Sequence, residues 1–399
     1  MRRASLTPAI VVAALTLLGS ACHSSGRSTT TAPSASSTTT SATRIATSTT
    51  TTPALGPAIV FSAQGSELDA YATTTPFGTQ VVIPSPAAAH NGVDVSGQIC
   101  FDPTNPRQFV AVDRTDAADG QVGWGVFTLS GNTLGKLAAR ETDRLVPTFQ
   151  PSSVPPNPFG CGFLPDGRLL TTDAGNGSRG PDDGQLIEWF PPFGQDTVVS
   201  CKVDVNLAAP EGLLVDGGRV LVTESRGRGV TSFVTSTLPT SNLATGGCGR
   251  RDATGAALAL GVVYSAWLQN AAGAGLTQPA SVVRAGSGGF YVSSPRTGVI
   301  AEVDAAGRLV RRVLAPPAGA RLGRHPFVTG SPTGLGVGPN GALYYADSGL
   351  VLQHATLVAG LRTGTIRRIG FSEGAPLPPE VIGSGLESAD GIGIWIPSA

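Results

Sequence analysis

The chain repeats itself, and the repeat unit is built from β-hairpins. Pro158-Phe159-Gly160 leads into an apolar run, then Pro165-Asp166-Gly167, then Arg168-Leu169-Leu170-Thr171-Thr172-Asp173. The same order returns as Pro210-Glu211-Gly212, Asp216-Gly217-Gly218 and Val220-Leu221-Val222-Thr223-Glu224. A third copy reads Pro279-Ala280-Ser281, Gly286-Ser287-Gly288 and Phe290-Tyr291-Val292-Ser293-Ser294. A fourth reads Pro332-Thr333-Gly334, Pro339-Asn340-Gly341 and Leu343-Tyr344-Tyr345-Ala346-Asp347. Each copy predicts strand, tight turn, strand, since Asp-Gly and Asn-Gly supply the positive φ angles of hairpin turns. A further hairpin follows in Gly184-Gln185-Leu186-Ile187-Glu188-Trp189 and Gly364-Thr365-Ile366-Arg367-Arg368-Ile369.

Two weaker copies flank these four. One runs from Gly97-Gln98-Ile99-Cys100-Phe101 to Phe109-Val110-Ala111-Val112-Asp113; the other is Ala389-Asp390-Gly391-Ile392-Gly393-Ile394-Trp395, which holds a single strand. Strand-like runs at 58–61, 67–71 and 80–83 precede the first copy and can complete that last one. Closing a ring with strands from both ends removes the sheet edges that promote aggregation. The expectation is an all-β, six-bladed propeller over residues 57–399, closed by N- and C-terminal strands in one blade. Copies about 59 residues apart exceed the ~40–45 of a compact four-stranded blade, so the excess lies in loops. The longest step, residues 212–281, contains a Gly-rich insertion around Gly246-Gly247-Cys248.

Composition agrees. With 41% apolar and only 14% charged residues, the chain can bury a large core and is neither disordered nor a coiled coil. Basic and acidic residues are equal at 27 each, but four arginines fall in residues 1–56, which hold no acid. The remainder is therefore acidic by four charges, and a nucleic-acid partner is not expected.

Residues 1–22 read as an export signal: Arg2 and Arg3, an apolar run over 9–18 too short to span a bilayer, then Gly19, Ser20, Ala21 and Cys22. The end of this segment resembles a bacterial lipoprotein signal, with Leu18 one place early, which implies lipidation at Cys22. Residues 23–56 are almost entirely Ser, Thr, Ala and Pro and read as a solvated tether. The folded part is then expected outside the cytoplasmic membrane, held by lipid alone or secreted. The other cysteines, Cys100, Cys161, Cys201 and Cys248, suit two disulfides and match no zinc spacing. The repeat favours Cys100–Cys161, on inner strands of adjacent blades, and Cys201–Cys248, flanking the third blade and stapling its insertion.

The Pro-x-Gly, Asp-Gly and (Thr/Ser)-Asp pattern resembles NHL-type repeats and the senescence marker protein–gluconolactonase family. That resemblance implies a divalent cation, calcium being the candidate, held by oxygens at the channel mouth. The matching positions are Gln98, Phe159, Glu211, Ala280, Thr333 and Asp390. Glu211 and Asp390 bring carboxylates and are the candidate metal ligands; Thr333 is a third oxygen for ligand binding. Blade five, from His325-Pro326-Phe327 to Thr365-Ile366-Arg367-Arg368-Ile369, also resembles quinone-dependent sugar dehydrogenases, which would need a histidine base from among His90, His325 and His354.

The acids Asp173, Glu224 and Asp347 recur at one repeat position, which suits a turn-closing role better than a unique catalytic one. Gly175-Asn176-Gly177-Ser178 with Asp182-Asp183 reads as a solvated turn or a calcium loop. No Gly-x-Ser-x-Gly, His-Glu-x-x-His or Walker sequence occurs. The expected role is binding of a protein or small-molecule ligand at the channel mouth. The alternatives are a metal-dependent lactonase-type hydrolase and a quinone-dependent sugar dehydrogenase.

Overall fold

A computed structural model of the chain describes residues 57–397, apart from 65, 90–91, 116–121, 147–156, 176–182, 194–197, 227–228, 252–254 and 355. The expected signal, Cys22, the tether, His90 and residues 176–182 of the Gly175–Asp183 turn lie outside the described residues.

Six sheets stand around an axis. From inner to outer strand, blade 1 is Val95–Phe101, Gln108–Asp113, Gly123–Ser130 and Ala138–Leu145. Blade 2 is Pro158–Phe163, Leu169–Asp173, Gly184–Trp189 and Ser200–Leu207. Blade 3 is Pro210–Asp216, Arg219–Glu224, Gly229–Val234 and Tyr264–Ala266. Blade 4 is Ser281–Arg284, Phe290–Ser294, Val299–Val303 and Leu309–Leu314. Blade 5 is Pro332–Val337, Leu343–Asp347, Gly364–Ile369 and Glu380–Leu386. Blade 6 takes its inner strand Gly393–Trp395 from the C-terminal end and Ile59–Ala63, Leu68–Ala72 and Thr79–Ile83 from the N-terminal side. Ile59 pairs with Trp395 and Phe61 with Gly393, so the ring closes as the repeat predicts.

The core divides into one apolar cluster per blade interface. Phe61, Phe109, Phe127 and Trp395 join blades 6 and 1, with Phe109 stacked on Phe127 at 5.1 Å. Trp124, Phe163 and Trp189 join blades 1 and 2, and four further clusters fill the other interfaces. Because each blade is covered on both faces, strands such as Leu169–Asp173 are buried at every position.

The Pro-x-Gly signature is a β-bulge in the inner strand. Phe159 and Gly160 together face Thr172, Glu211 and Gly212 face Thr223, and Thr333 and Gly334 face Ala346, two residues against one. The glycines let adjacent inner strands touch. A Cβ on Gly160 would sit 2.0 Å from Glu211 O, one on Gly212 2.5 Å from Ala280 O, and one on Gly391 1.6 Å from Gly97 O. Blade 4 has Ser281 instead, whose hydroxyl accepts a hydrogen bond from Leu335 N at 3.3 Å.

The (Thr/Ser)-Asp signature stitches blades together. The Thr172 hydroxyl donates to Glu211 O at 2.6 Å, Thr223 to Ala280 O at 3.1 Å, and Ser293 to Thr333 O at 3.2 Å. The acids that follow close loops, as expected. Asp173 accepts from Asn157 N and Gly175 N, Glu224 from Ala208 N, and Asp347 from Ser331 N and Gly349 N.

Both disulfides form as expected, Cys100–Cys161 and Cys201–Cys248, and such bonds suit an oxidising compartment. The second staples the insertion, and does so to blade 2. Its strand Ala257–Leu258 runs parallel to the outer strand of blade 2, with Arg250–Arg251 beyond it, giving a six-stranded sheet. The insertion thus covers an edge that would otherwise be open. No helix among the described residues is long and apolar enough to cross a membrane.

Candidate active site at the channel mouth

All six inner strands begin at one end of the channel, where the bulges lie. At this level Gln98, Phe159, Glu211, Thr333 and Asp390 are half-buried, and Ala280 is buried. Bulges re-aim side chains, and here they break the otherwise apolar inner strands with polar groups.

Blade 1 departs from the others. Gly97, Gln98 and Ile99 together face Ala111, one residue more than elsewhere. That extra length lets Gln98 reach across the channel to blade 3. Its Nε2 donates to Leu213 O at 2.9 Å, and its Oε1 accepts from Leu213 N at 3.1 Å. Gln98 also adjoins the segment that leads into the inner strand of blade 6, since a Cβ on Gly391 would lie 3.2 Å from its Cα. Its side chain therefore runs from the Asp390 segment toward the Glu211 strand as a crossbar.

Glu211 and Asp390 stand on blades 3 and 6, opposite in the ring. Burial pushes the Glu211 carboxyl up to about 7, opposed only by a hydrogen bond from Ser225. Burial also pushes Asp390 up to about 7, against the backbone N–H groups of Gly97 and Gly391 and the charge of Arg114. Neither shift arises from the other carboxyl. Asp390 Oδ1 is buried with no hydrogen-bond partner. Thr333 turns toward its own loop, its hydroxyl donating to Ser331 O at 3.2 Å and to Ser348 Oγ at 2.8 Å.

This donor set does not fit a calcium cage. Calcium takes six to eight oxygens, most from ionised carboxylates or carbonyls. Here only two carboxyls stand at the mouth, on opposite blades, the threonine hydroxyl is engaged by its own loop, and among the described residues no three His, Cys, Asp or Glu side chains gather. Of the histidines a quinone site would need, His325 and His354 sit exposed in loops of blade 5, off the inner strands, and His90 lies outside the described residues.

Two residues of the site escape the repeat pattern. Ser225 and Arg114 lie just beyond second strands, where copies differ. Gln98 is among the expected positions, but its reach to Leu213 depends on the extra residue of its bulge.

No protein-family model matches the chain, and no curated protein matches it in sequence. Among solved structures, a protein of unknown function from Bacteroides caccae is similar over 85% of this chain and 99% of its own, at 13% identity and a TM-score of 0.47. A luciferin-regenerating enzyme is similar over 84% and 95%, at 15% identity and a TM-score of 0.47. A gluconolactonase from Xanthomonas campestris is similar over 70% and 75%, at 14% identity and a TM-score of 0.42. Likeness this distant says nothing of activity. The strand pairings are what make this chain a six-bladed propeller.

Proposed function

We propose that the channel mouth is the active site of a hydrolase-type enzyme that opens a small, uncharged ester or lactone by acid–base chemistry, without a bound cation. The observation that carries this is the opposed pair Glu211 and Asp390, each with a pKa near the pH at which a proton must be both taken and given. It also turns the reading from pure binding, the role expected from the sequence, to catalysis. Asp390 has backbone donors and Arg114 to favour its anion, so it is the base that takes a proton from water. Glu211, supported by a single hydroxyl, is the acid that gives its proton to the alkoxide leaving the carbonyl carbon. The hydroxide so formed bonds to that carbon as the carbon–oxygen bond to the leaving group breaks, and the net reaction consumes one water. Export, with Cys22 lipidated and residues 23–56 as tether, is part of the same proposal, because the Ser/Thr-rich stretch suits a site displayed on the outer face of the membrane.

The test is hydrolysis of glucono-1,5-lactone and p-nitrophenyl acetate by the purified chain with a chelator present. A bell-shaped pH profile centred near 7 is expected, with a loss of about 100-fold in Asp390→Asn and in Glu211→Gln. Hydrolysis that needs added calcium, or that survives both substitutions, overturns it.

A further inference from the structure

The opposite face, where first and second strands are joined by hairpin turns, carries a groove that the channel mouth does not use. Between blades 4 and 5 lies a cavity of about 440 Å³, walled by Tyr291, Arg311, Asn340, Arg368, Phe371 and Leu377. It is made by the long third-to-fourth connection of blade 5, where the small hairpin Phe371–Ser372 and Ala375–Pro376 stands over the turn at Gly286-Ser287. A second cavity of about 330 Å³ shares Asn340 and adds Tyr344, Thr73 and Thr74. A third, of about 280 Å³, shares both threonines and ends on Asn132 and Leu134. Neighbouring cavities share lining residues, so the three follow one another along this face from blade 4 through blades 5 and 6 to the outer loop of blade 1.

Its charges cancel. Arg311 pairs with Glu302 at 2.6 Å and Arg368 with Glu380 at 3.3 Å. Each guanidinium thus has its charge matched by a carboxylate, which gives a ligand of net charge no unpaired partner here. What remains is a set of fixed hydrogen-bonding groups, two arginine–carboxylate pairs and an asparagine amide, beside an apolar wall. Phe371 in that wall is held rigid by stacking on Tyr291 at 5.9 Å and 9°. Behind this wall the buried Tyr344 hydroxyl is engaged by Arg368 and Thr73, which fixes the Arg368 guanidinium from its inner side.

We propose that this groove binds a neutral oligosaccharide. Vicinal hydroxyls match the arginine–carboxylate pairs, the apolar faces of sugar rings match Phe371 and Leu377, and a row of adjoining cavities suits a chain rather than a single ring.

The experiment is calorimetric titration of the purified full chain with maltotriose, cellotriose, chitotriose and, as a charged comparison, trigalacturonate. Binding of at least one neutral trisaccharide is expected, weakened about tenfold by Arg368→Gln, which removes one charge-assisted contact. Leu377→Trp, at an exposed position, fills the cavity without touching the core and should abolish the heat. Glu211→Gln, at the other end of the channel, should leave it unchanged. Three results overturn the proposal: preference for trigalacturonate, no heat with any of the neutral sugars, or binding that Leu377→Trp leaves intact.

Discussion

Gln98 of blade 1 holds both backbone groups of Leu213 on blade 3, 115 residues away, at 2.9 and 3.1 Å. Because blade 2 stands between these blades, the contact crosses the channel and sets its depth at the mouth. Gln98→Ala would leave the Leu213 N–H and C=O unpaired, at a cost of about 1–3 kcal/mol. Gln98→Glu should cost more at neutral pH, since its carboxylate can accept from Leu213 N but repels Leu213 O. Urea unfolding of the two variants checks the order, and a glutamate that matches wild type would show the crossbar to be dispensable.

The inner glycines make a second, sharper contrast. A methyl on Gly391 meets Gly97 O at 1.6 Å, backbone against backbone, where nothing flexible can yield. Gly391→Ala should therefore cost at least about 3 kcal/mol or prevent closure of the ring. Gly286, in a hairpin turn, has nothing within 4 Å and no positive φ, so Gly286→Ala should be neutral or stabilise by about 0.5 kcal/mol. Thermal melts of the pair test whether the repeat's glycines act at the axis.

These contrasts show what could be read in advance. Pro-x-Gly and (Thr/Ser)-Asp recur because most interfaces reuse one bulge, one missing Cβ and one hydroxyl stitch, so the ring was legible from the four clear copies and the two weaker ones that flank them. The pairing of Ile59 with Trp395 followed from a last copy that lacked partners. The site was legible only in part. Glu211 and Asp390 stand out as acids where other copies have Gln, Phe, Ala or Thr, but their proton affinities depend on Ser225, Arg114 and Gly97, brought close by closure rather than by spacing. The edge that the insertion pairs with was not legible for a related reason: nothing in its sequence points to the outer strand of blade 2.

Stability should carry the imprint of the two carboxyls. Burial raises Glu211 from 4.5 and Asp390 from 3.8 to about 7 each, so between those limits the native state binds more protons than the unfolded one. A group with its native pKa raised disfavours the folded state increasingly as pH climbs through that window. The double variant Glu211→Gln, Asp390→Asn escapes this. Its Tm relative to wild type should rise between pH 5 and pH 8, and a difference that stays flat would mean the carboxyls are ionised throughout.

The two disulfides should separate by what their loss exposes. Each closes a loop of similar length, 61 and 47 residues, so the chain-entropy contribution is about 4 kcal/mol for either. Their surroundings differ. Cys100 and Cys161 lie on inner strands within the cluster that joins blades 1 and 2, and replacing both with serine buries two hydroxyls there, lowering global stability. Cys201 and Cys248 join the insertion to the edge of blade 2 over a small cluster with Phe190 and Ala257. Serine at both should free the insertion while the ring stays closed through its six main interfaces. Limited proteolysis should then cut within residues 235–263 before any loss of the cooperative melt. Cleavage that begins elsewhere, or a melt that collapses as far as in the first variant, would place the second bond within the stability of the ring itself.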